Sequence, residues 1–358
     1  MKAWRLEKAG GRLALEDLPV PEVRPGAVRV RMEAAPVLSY LGDVLAGKLA
    51  IYRFPSRPFT PGTNGVGVVD AVGPEVYHLG PGQRVVLNPH LSADERVAEP
   101  AQILIGLTSI SPDSGPLQRD WPDGTLGEMA VMPARVLTPV PDDAGVPVER
   151  LALMGKFAVP YGGLAEIGLA AGETLIVNGA SGYFGSAAVL LGAALGAARI
   201  VAAGRDAASL ARVVGKAGRR AVAVVLTGDV AADARALRDA AGGGAHAAID
   251  LVGRATDAAA TLATLKALRR GGRLCLMGSL MVPLPLDYGE LLRNDWTVRG
   301  RFMYPPGAIA RLIAMAGAGT LDLGAVNVTR HPLGALPAAL EAAAAGRGLD
   351  AVVVTMGG

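Results

Sequence analysis

The chain has 358 residues, 51% of them hydrophobic and 19% charged, and 35 Lys and Arg against 32 Asp and Glu leave a formal net charge of +3. This length suits two or three domains with packed cores rather than a disordered chain. The basic residues occur in pairs such as Arg219/Arg220 and Arg269/Arg270 rather than in a stripe with aromatics, which argues against nucleic acid, and the one cysteine excludes an intrachain disulfide and a cysteine-built structural zinc site.

The opening MKAWRLEKAG is charged and has no apolar core of the kind a signal peptide needs. The longest low-charge segment, SAAVLLGAALGAA, meets Arg199 before reaching the roughly 20 residues that span a bilayer. A cytoplasmic protein with no membrane contact is the expectation. AVRVRME (27–33) alternates apolar and charged residues, as a half-buried strand does, and GVGVVDAVG (65–73) and QRVVLNP (83–89) are further strands. Many short strands with little helix predict a barrel-like β domain over the first 150 residues. Residues 91–125 read as a long irregular excursion, usually a functional loop or a locally ordered lobe.

Beyond VPVERLALMG the pattern changes. ETLIVNG, RIVAAGR, AVAVVL, AHAAIDLVG and GRLCLMGS are apolar strands alternating with helical segments, which predicts a parallel sheet covered on both faces, a doubly wound domain. The tail adds one helix and one strand. Cys275, inside RLCLMGS, reads as a buried core thiol. The four histidines (His78, His90, His246, His331) show no pair at helical ligand spacing, so no metal site is expected.

VNGASGYFG (177–185) lies between the first of these strands and a helix, with a second strand about twenty residues on. In such a βαβ unit the first glycines allow a tight turn and close backbone approach to a pyrophosphate. The last one lets helix pack on strand. The helix N-terminus adds unpaired N–H groups for the phosphates. NAD sites place a carboxylate at the end of the second strand, but IVAAGRD puts Gly204 there, followed by Arg205. A guanidinium pairs with a 2′-phosphate that a carboxylate would repel, so NADP(H) is the expected cofactor. Asp206, one residue on, keeps the NAD alternative open.

PGTNGVGVVDAVGPEVYHLGPGQRVV, the opening MKAWRL…LALEDLPVPEVRPGAVRVRMEAA and GTLGEMAVMPARVLTPVPD resemble, in order and spacing, the medium-chain dehydrogenase/reductase superfamily over essentially the whole chain. The resemblance implies a GroES-like catalytic domain over 1–150, completed by about 295–358, and a Rossmann dinucleotide-binding domain over 151–294. It places the catalytic cleft between them. In zinc-dependent relatives a Cys three residues before an Asp binds the metal; the matching stretch here is YLGD, with Tyr40 ahead of Asp43. The His and Glu of the relatives' GHE become Thr63 and Asn64, and the third ligand position falls near Gly155. The resemblance is therefore to the zinc-less members, which include quinone, enone, alkenal and enoyl thioester reductases and a few ketone reductases.

Without a Lewis acid, a phenol, a lysine, water or backbone N–H groups must stabilise or protonate the reduced product. Tyr40, at the former ligand position, and Tyr52, in a loop similar to the one carrying a catalytic Tyr in enoyl thioester reductases, are the candidate acids, with pocket lining as the other reading of each. Asp43 is the third catalytic candidate, with a loop-fixing role as its alternative. Asn88, His90 and Val159 are expected in the substrate pocket, and Lys156 is a further candidate. Tyr161 also occurs in zinc-dependent relatives and carries no distinction. For the cofactor, Ser181, Gly182, Tyr183, Phe184 and Gly185 are expected to face the pyrophosphate. Gly253, Gly278 and Ser279 lie at strand ends, and Phe302 resembles a position near the nicotinamide. The expected function is reduction of a quinone, enone or enal by NADPH without zinc. A zinc-free ketone or aldehyde reductase is the alternative, and a non-catalytic NADPH-binding protein a third. The resemblance also implies a homodimer acting on a small molecule.

Overall fold

In the computed structural model, which describes residues 1–94 and 96–357, the chain opens with an antiparallel hairpin of β1 (Lys2–Leu6) and β2 (Leu13–Asp17). The alternation seen in AVRVRME places Val28, Val30 and Met32 inside β3 (Ala27–Val37) and leaves Arg31 outside. The one-turn helix α1 (Leu41–Leu45) follows. Next come β4 (Gly65–Val72) and β5 (Arg84–Leu87), paired antiparallel. The expected irregular excursion is an ordered lobe: β6 (His90–Ser92), β7 (Gln102–Leu104) and β8 (Thr108–Ser109) form a small sheet, followed by α2 (Gly115–Asp120). β9 (Met129–Pro133) pairs with β3, and β10 (Leu137–Pro139) pairs with β5.

Helices α3 (Val148–Leu151) and α4 (Met154–Glu166) lead into the second sheet. Its elements are β11 (Thr174–Asn178), α5 (Tyr183–Ala194), β12 (Arg199–Gly204), α6 (Ala207–Ala217) and β13 (Ala221–Val225). They continue with α7 (Val230–Ala240), β14 (Ala245–Asp250), α8 (Ala259–Lys266), β15 (Leu268–Leu276), α9 (Tyr288–Asn294) and β16 (Thr297–Gly300). All pairings are parallel, in the order β13-β12-β11-β14-β15-β16. The apolar centre of the sheet is buried on both faces, as Ile176, Val177, Val201, Ala202, Ala248 and Ile249 show. The order reverses at β11 and β14, where ligands of such sheets bind. The expected boundary at 294 falls one strand early, because β16 pairs with β15 and belongs to this sheet.

The tail returns to the first domain. After α10 (Ala308–Gly317), β17 (Asn327–Pro332) and α11 (Leu336–Ala345), β18 (Asp350–Thr355) pairs antiparallel with β3, which gives the order β10-β5-β4-β3-β18-β17. One buried cluster runs from Val66 and Val86 of the first sheet through Phe157 and Leu164 of α4 to Leu175 and Ile249 of the second. Continuous packing of this kind sets the two domains against each other and holds α4 at their junction. Among the described residues, no helix is long and apolar enough to cross a membrane.

Candidate active site

The glycine loop is built for a phosphate. Gly179 has φ +81, and a Cβ on Gly185 would overlap the Gly179 carbonyl, so the start of α5 can sit directly on the turn. Gly182 is the N-cap and offers no side chain, which leaves N–H groups of the first turn for an anion. Gly204 closes β12 next to Ser181, and Arg205 beyond it is exposed. Asp206 is committed elsewhere: it caps α6, accepting from Ser209 N at 3.1 Å and Ser209 Oγ at 2.8 Å, and these bonds lower its pKa. Of the residues expected to face the pyrophosphate, Tyr183 and Phe184 differ in their side chains. Both rings pack on the first domain's cluster around Leu41 and Phe59, so only their backbone remains at the helix start.

The loops after β14 and β15 are joined: Ser279 N donates to Val252 O at 2.9 Å, and Arg254 N to Ser279 Oγ at 3.2 Å. Gly278 packs against Val252, while Gly253 faces open space. Beneath them is Asp250, which sequence reasoning passed over as the end of an apolar strand. Its carboxylate accepts from Val252 N at 2.9 Å, Asn178 Nδ2 at 3.3 Å and Thr261 Oγ1, and burial raises its pKa. A pocket of about 80 Å³ lies beside it, lined by Val252, Thr261, Leu276 and Gly278.

Across the cleft, Tyr40 and Tyr52 come together. A side-chain hydrogen bond between them raises the pKa of Tyr40 and lowers that of Tyr52. Burial raises both, and acts foremost on Tyr40, which also lies within reach of Tyr183. Behind Tyr183 is Lys156, whose Nζ stands 3.8 Å above the Tyr183 ring and donates to Tyr183 O and to Gly348 O, the latter at 3.0 Å.

A second polar group forms the other wall. Asn88 Oδ1 accepts from Tyr304 Oη at 2.7 Å and from His90 N at 2.9 Å, and His90 Nε2 meets Gln102 Oε1 at 2.9 Å. The His90 ring stands edge-on to Phe302, which is 49% exposed, with centroids 5.6 Å apart. Tyr304 was not legible as a site residue; its partner Asn88 lies 216 positions away. Val159 is half-buried on α4 against the core. Tyr161 is buried behind it with Arg311 Nη1 3.3 Å from its hydroxyl. The Cys275 thiol is buried and pushed up to about 11.

Asp43, the third catalytic candidate with a loop-fixing role as its alternative, is engaged by two cations. It pairs with Lys48 at 3.2 Å and, across the domain cleft, with Arg254 at 2.9 Å. Hydrogen bonds from both cations lower its pKa. The superfamily's zinc-ligand positions do not fit a metal here. Thr63 and Asn64 are buried, and the Asn64 amide fills the space that a side chain at Gly155 would need. Among the described residues, no group of three or more His, Cys, Asp or Glu could hold a metal ion.

A parallel nucleotide sheet with its glycine loop, joined across a cleft to a β domain, defines a pyridine-nucleotide oxidoreductase. Domain models for the alcohol dehydrogenase GroES-like domain and the zinc-binding dehydrogenase match residues 24–142 and 184–318, and the chain belongs to the medium-chain dehydrogenase/reductase superfamily. Over 99% of its length it is 30% identical to the spectinabilin polyketide synthase system protein NorB of Streptomyces orinoci, of which it spans 14%. Rat sorbitol dehydrogenase is 26% identical, with 96% of this chain and 93% of that protein covered. Among solved structures, alcohol dehydrogenase TADH from Thermus sp. ATN1 shares the fold, with a TM-score of 0.81, 24% identity and 99% of each chain covered.

Proposed function

We propose that this chain is a zinc-independent, NADPH-dependent reductase of an activated C=C or C=O bond, as in a quinone, enone or enal. The observation that carries the reading is the Tyr40–Tyr52 hydrogen bond in a cleft whose former ligand positions hold Tyr40, Thr63 and Gly155. When bound, the cofactor supplies the hydride. Transfer to a conjugated acceptor leaves negative charge on the substrate oxygen, and among the described residues no zinc ligand set is present to take it. Tyr52 is the proton donor, since its hydrogen bond with Tyr40 lowers its pKa and favours the phenolate left after proton transfer. Tyr40 orients that phenol and stabilises the phenolate formed. Asn88, held by Tyr304 and the His90 backbone, and Phe302 line the substrate side.

The decisive measurement is an acceptor panel with NADPH. Oxidation with quinones and enones but not with simple ketones is expected. Turnover of simple ketones alone would replace this reading with a zinc-free ketone reductase. NADPH binding without oxidation of any acceptor would make the chain a binding protein.

The preference for NADP(H) rests on Gly204, the exposed Arg205 and the Asp206 cap. Arg205→Ala removes a charge-assisted bond worth about 1.5–3 kcal/mol. The NADPH KM is expected to rise about 10- to 100-fold, with the NADH KM unchanged within a few-fold. We further propose a homodimer. β16 is an open sheet edge, and Met281, Tyr288 and Leu292 near it are exposed large apolar side chains. Sedimentation should report a particle of two 36.4 kDa chains, and a single chain would refute the dimer.

A further inference from the structure

Lys156 is 1% exposed, on the helix that joins the two domains. Its ammonium is satisfied by two carbonyls and an aromatic face. One carbonyl, Tyr183 O, belongs to the first residue of the dinucleotide helix. The other, Gly348 O, belongs to the loop entering β18. Ser186 Oγ reaches both carbonyls as well, at 3.1 and 2.7 Å, so three segments meet at this amine. The carboxylate that acts on Lys156, Asp350, is already engaged by Arg212, Asn327 and the Arg347 N–H. A buried amine thus stands at the positive end of a helix dipole, with no ion-pair partner among the described residues, next to the loop shaped for phosphates.

We propose that Lys156 is the buried counter-charge for the phosphates of the bound dinucleotide, so that cofactor loading is coupled to uptake of a proton at this amine. The proposal rests on the dinucleotide-binding reading above. Burial holds the free amine at about 7, so above that pH it is mostly neutral until the phosphates arrive. The groups around it do not titrate in the same range. Tyr183, Tyr40 and Tyr52 are raised above their ordinary values, and Asp350 and Asp206 are lowered. The 2′-phosphate of the cofactor, with its second ionisation near pH 6, is already fully ionised at pH 8.

The test is calorimetric titration of the whole protein with NADPH at pH 8, in two buffers of different ionisation heat. Uptake approaching one proton per cofactor is expected. Binding should weaken with each pH unit from 7 to 9, up to tenfold, and both effects should vanish in Lys156→Met and Lys156→Gln. NADPH binding with no proton uptake, or with uptake unchanged in either variant, overturns the proposal while leaving the cofactor reading intact. If a variant does not fold, the wild-type uptake and pH slope decide alone. Wild-type protein that does not bind NADPH overturns the cofactor reading and this inference together.

Discussion

Tyr52→Phe is expected to lower kcat about 10²- to 10⁴-fold, the range for loss of a positioned general acid, while substrate KM stays within a few-fold. The phenol ring is retained, so the packing of Tyr52 against the first domain's apolar cluster is kept and only the proton is lost. Tyr40→Phe is expected to cost less, about tenfold, because it removes one hydrogen bond with Tyr52 and leaves the acid in place. The pH profile separates the two roles. Burial raises the Tyr52 pKa, so the acid stays protonated and the alkaline limb of kcat lies above 10. The Tyr40 bond lowers that pKa, so Tyr40→Phe should move the limb further up. An unchanged kcat in Tyr52→Phe removes this residue from the mechanism.

Lys156→Met is expected to stabilise the cofactor-free protein by about 3 kcal/mol at pH 7. Burial lowers the amine from 10.5 in the unfolded chain to about 7 in the fold, a difference of roughly 5 kcal/mol. Removing the amine also removes its bonds to Tyr183 O and Gly348 O, which returns about 2 kcal/mol, since Ser186 Oγ remains to serve these carbonyls. The sign follows from proton binding. Below pH 7 both states hold the proton and the penalty is full. Between 7 and 10.5 the unfolded chain binds more protons, so wild-type stability rises with pH, and above 10.5 the penalty is gone. Urea unfolding at pH 6, 8 and 10 should show the variant's advantage shrinking steadily. An advantage that does not change with pH would show that the amine is not the cause. Saturating NADPH should narrow the gap at pH 7, because the phosphates favour the charged amine only in the wild type.

The parts of the fold legible in the sequence are those whose cause is local. VNGASGYFG between an apolar strand and an Ala-rich helix requires close approach whatever surrounds it, and the glycine packing in the structure follows that requirement. Near-continuous apolar runs such as ETLIVNG can be buried only in a sheet covered on both faces, as β11 is. The strand TVRG escaped because β16 is an edge, with little apolar pattern to betray it. Over 91–125 an ordered lobe is one of two readings, but its strands escaped because segments of two or three residues leave almost no periodicity.

The amino-acid order by itself determined the two-domain plan and the phosphate loop, because spacing and residue type suffice for each, while the resemblance to the superfamily picked out the residues that stand where relatives bind zinc. Only the tertiary structure decided the partners. Asp43 meets Arg254 across 211 positions and bridges the domains. Lys156 meets Gly348 across 192 positions and becomes a buried amine at the phosphate loop. Asp206 caps α6 through the Ser209 N–H, a partner three residues on that its helix start supplies. In the two long-range pairs the side chain's chemistry follows from burial and from which charges face it, and those are properties of the packed chain, not of its neighbours in sequence.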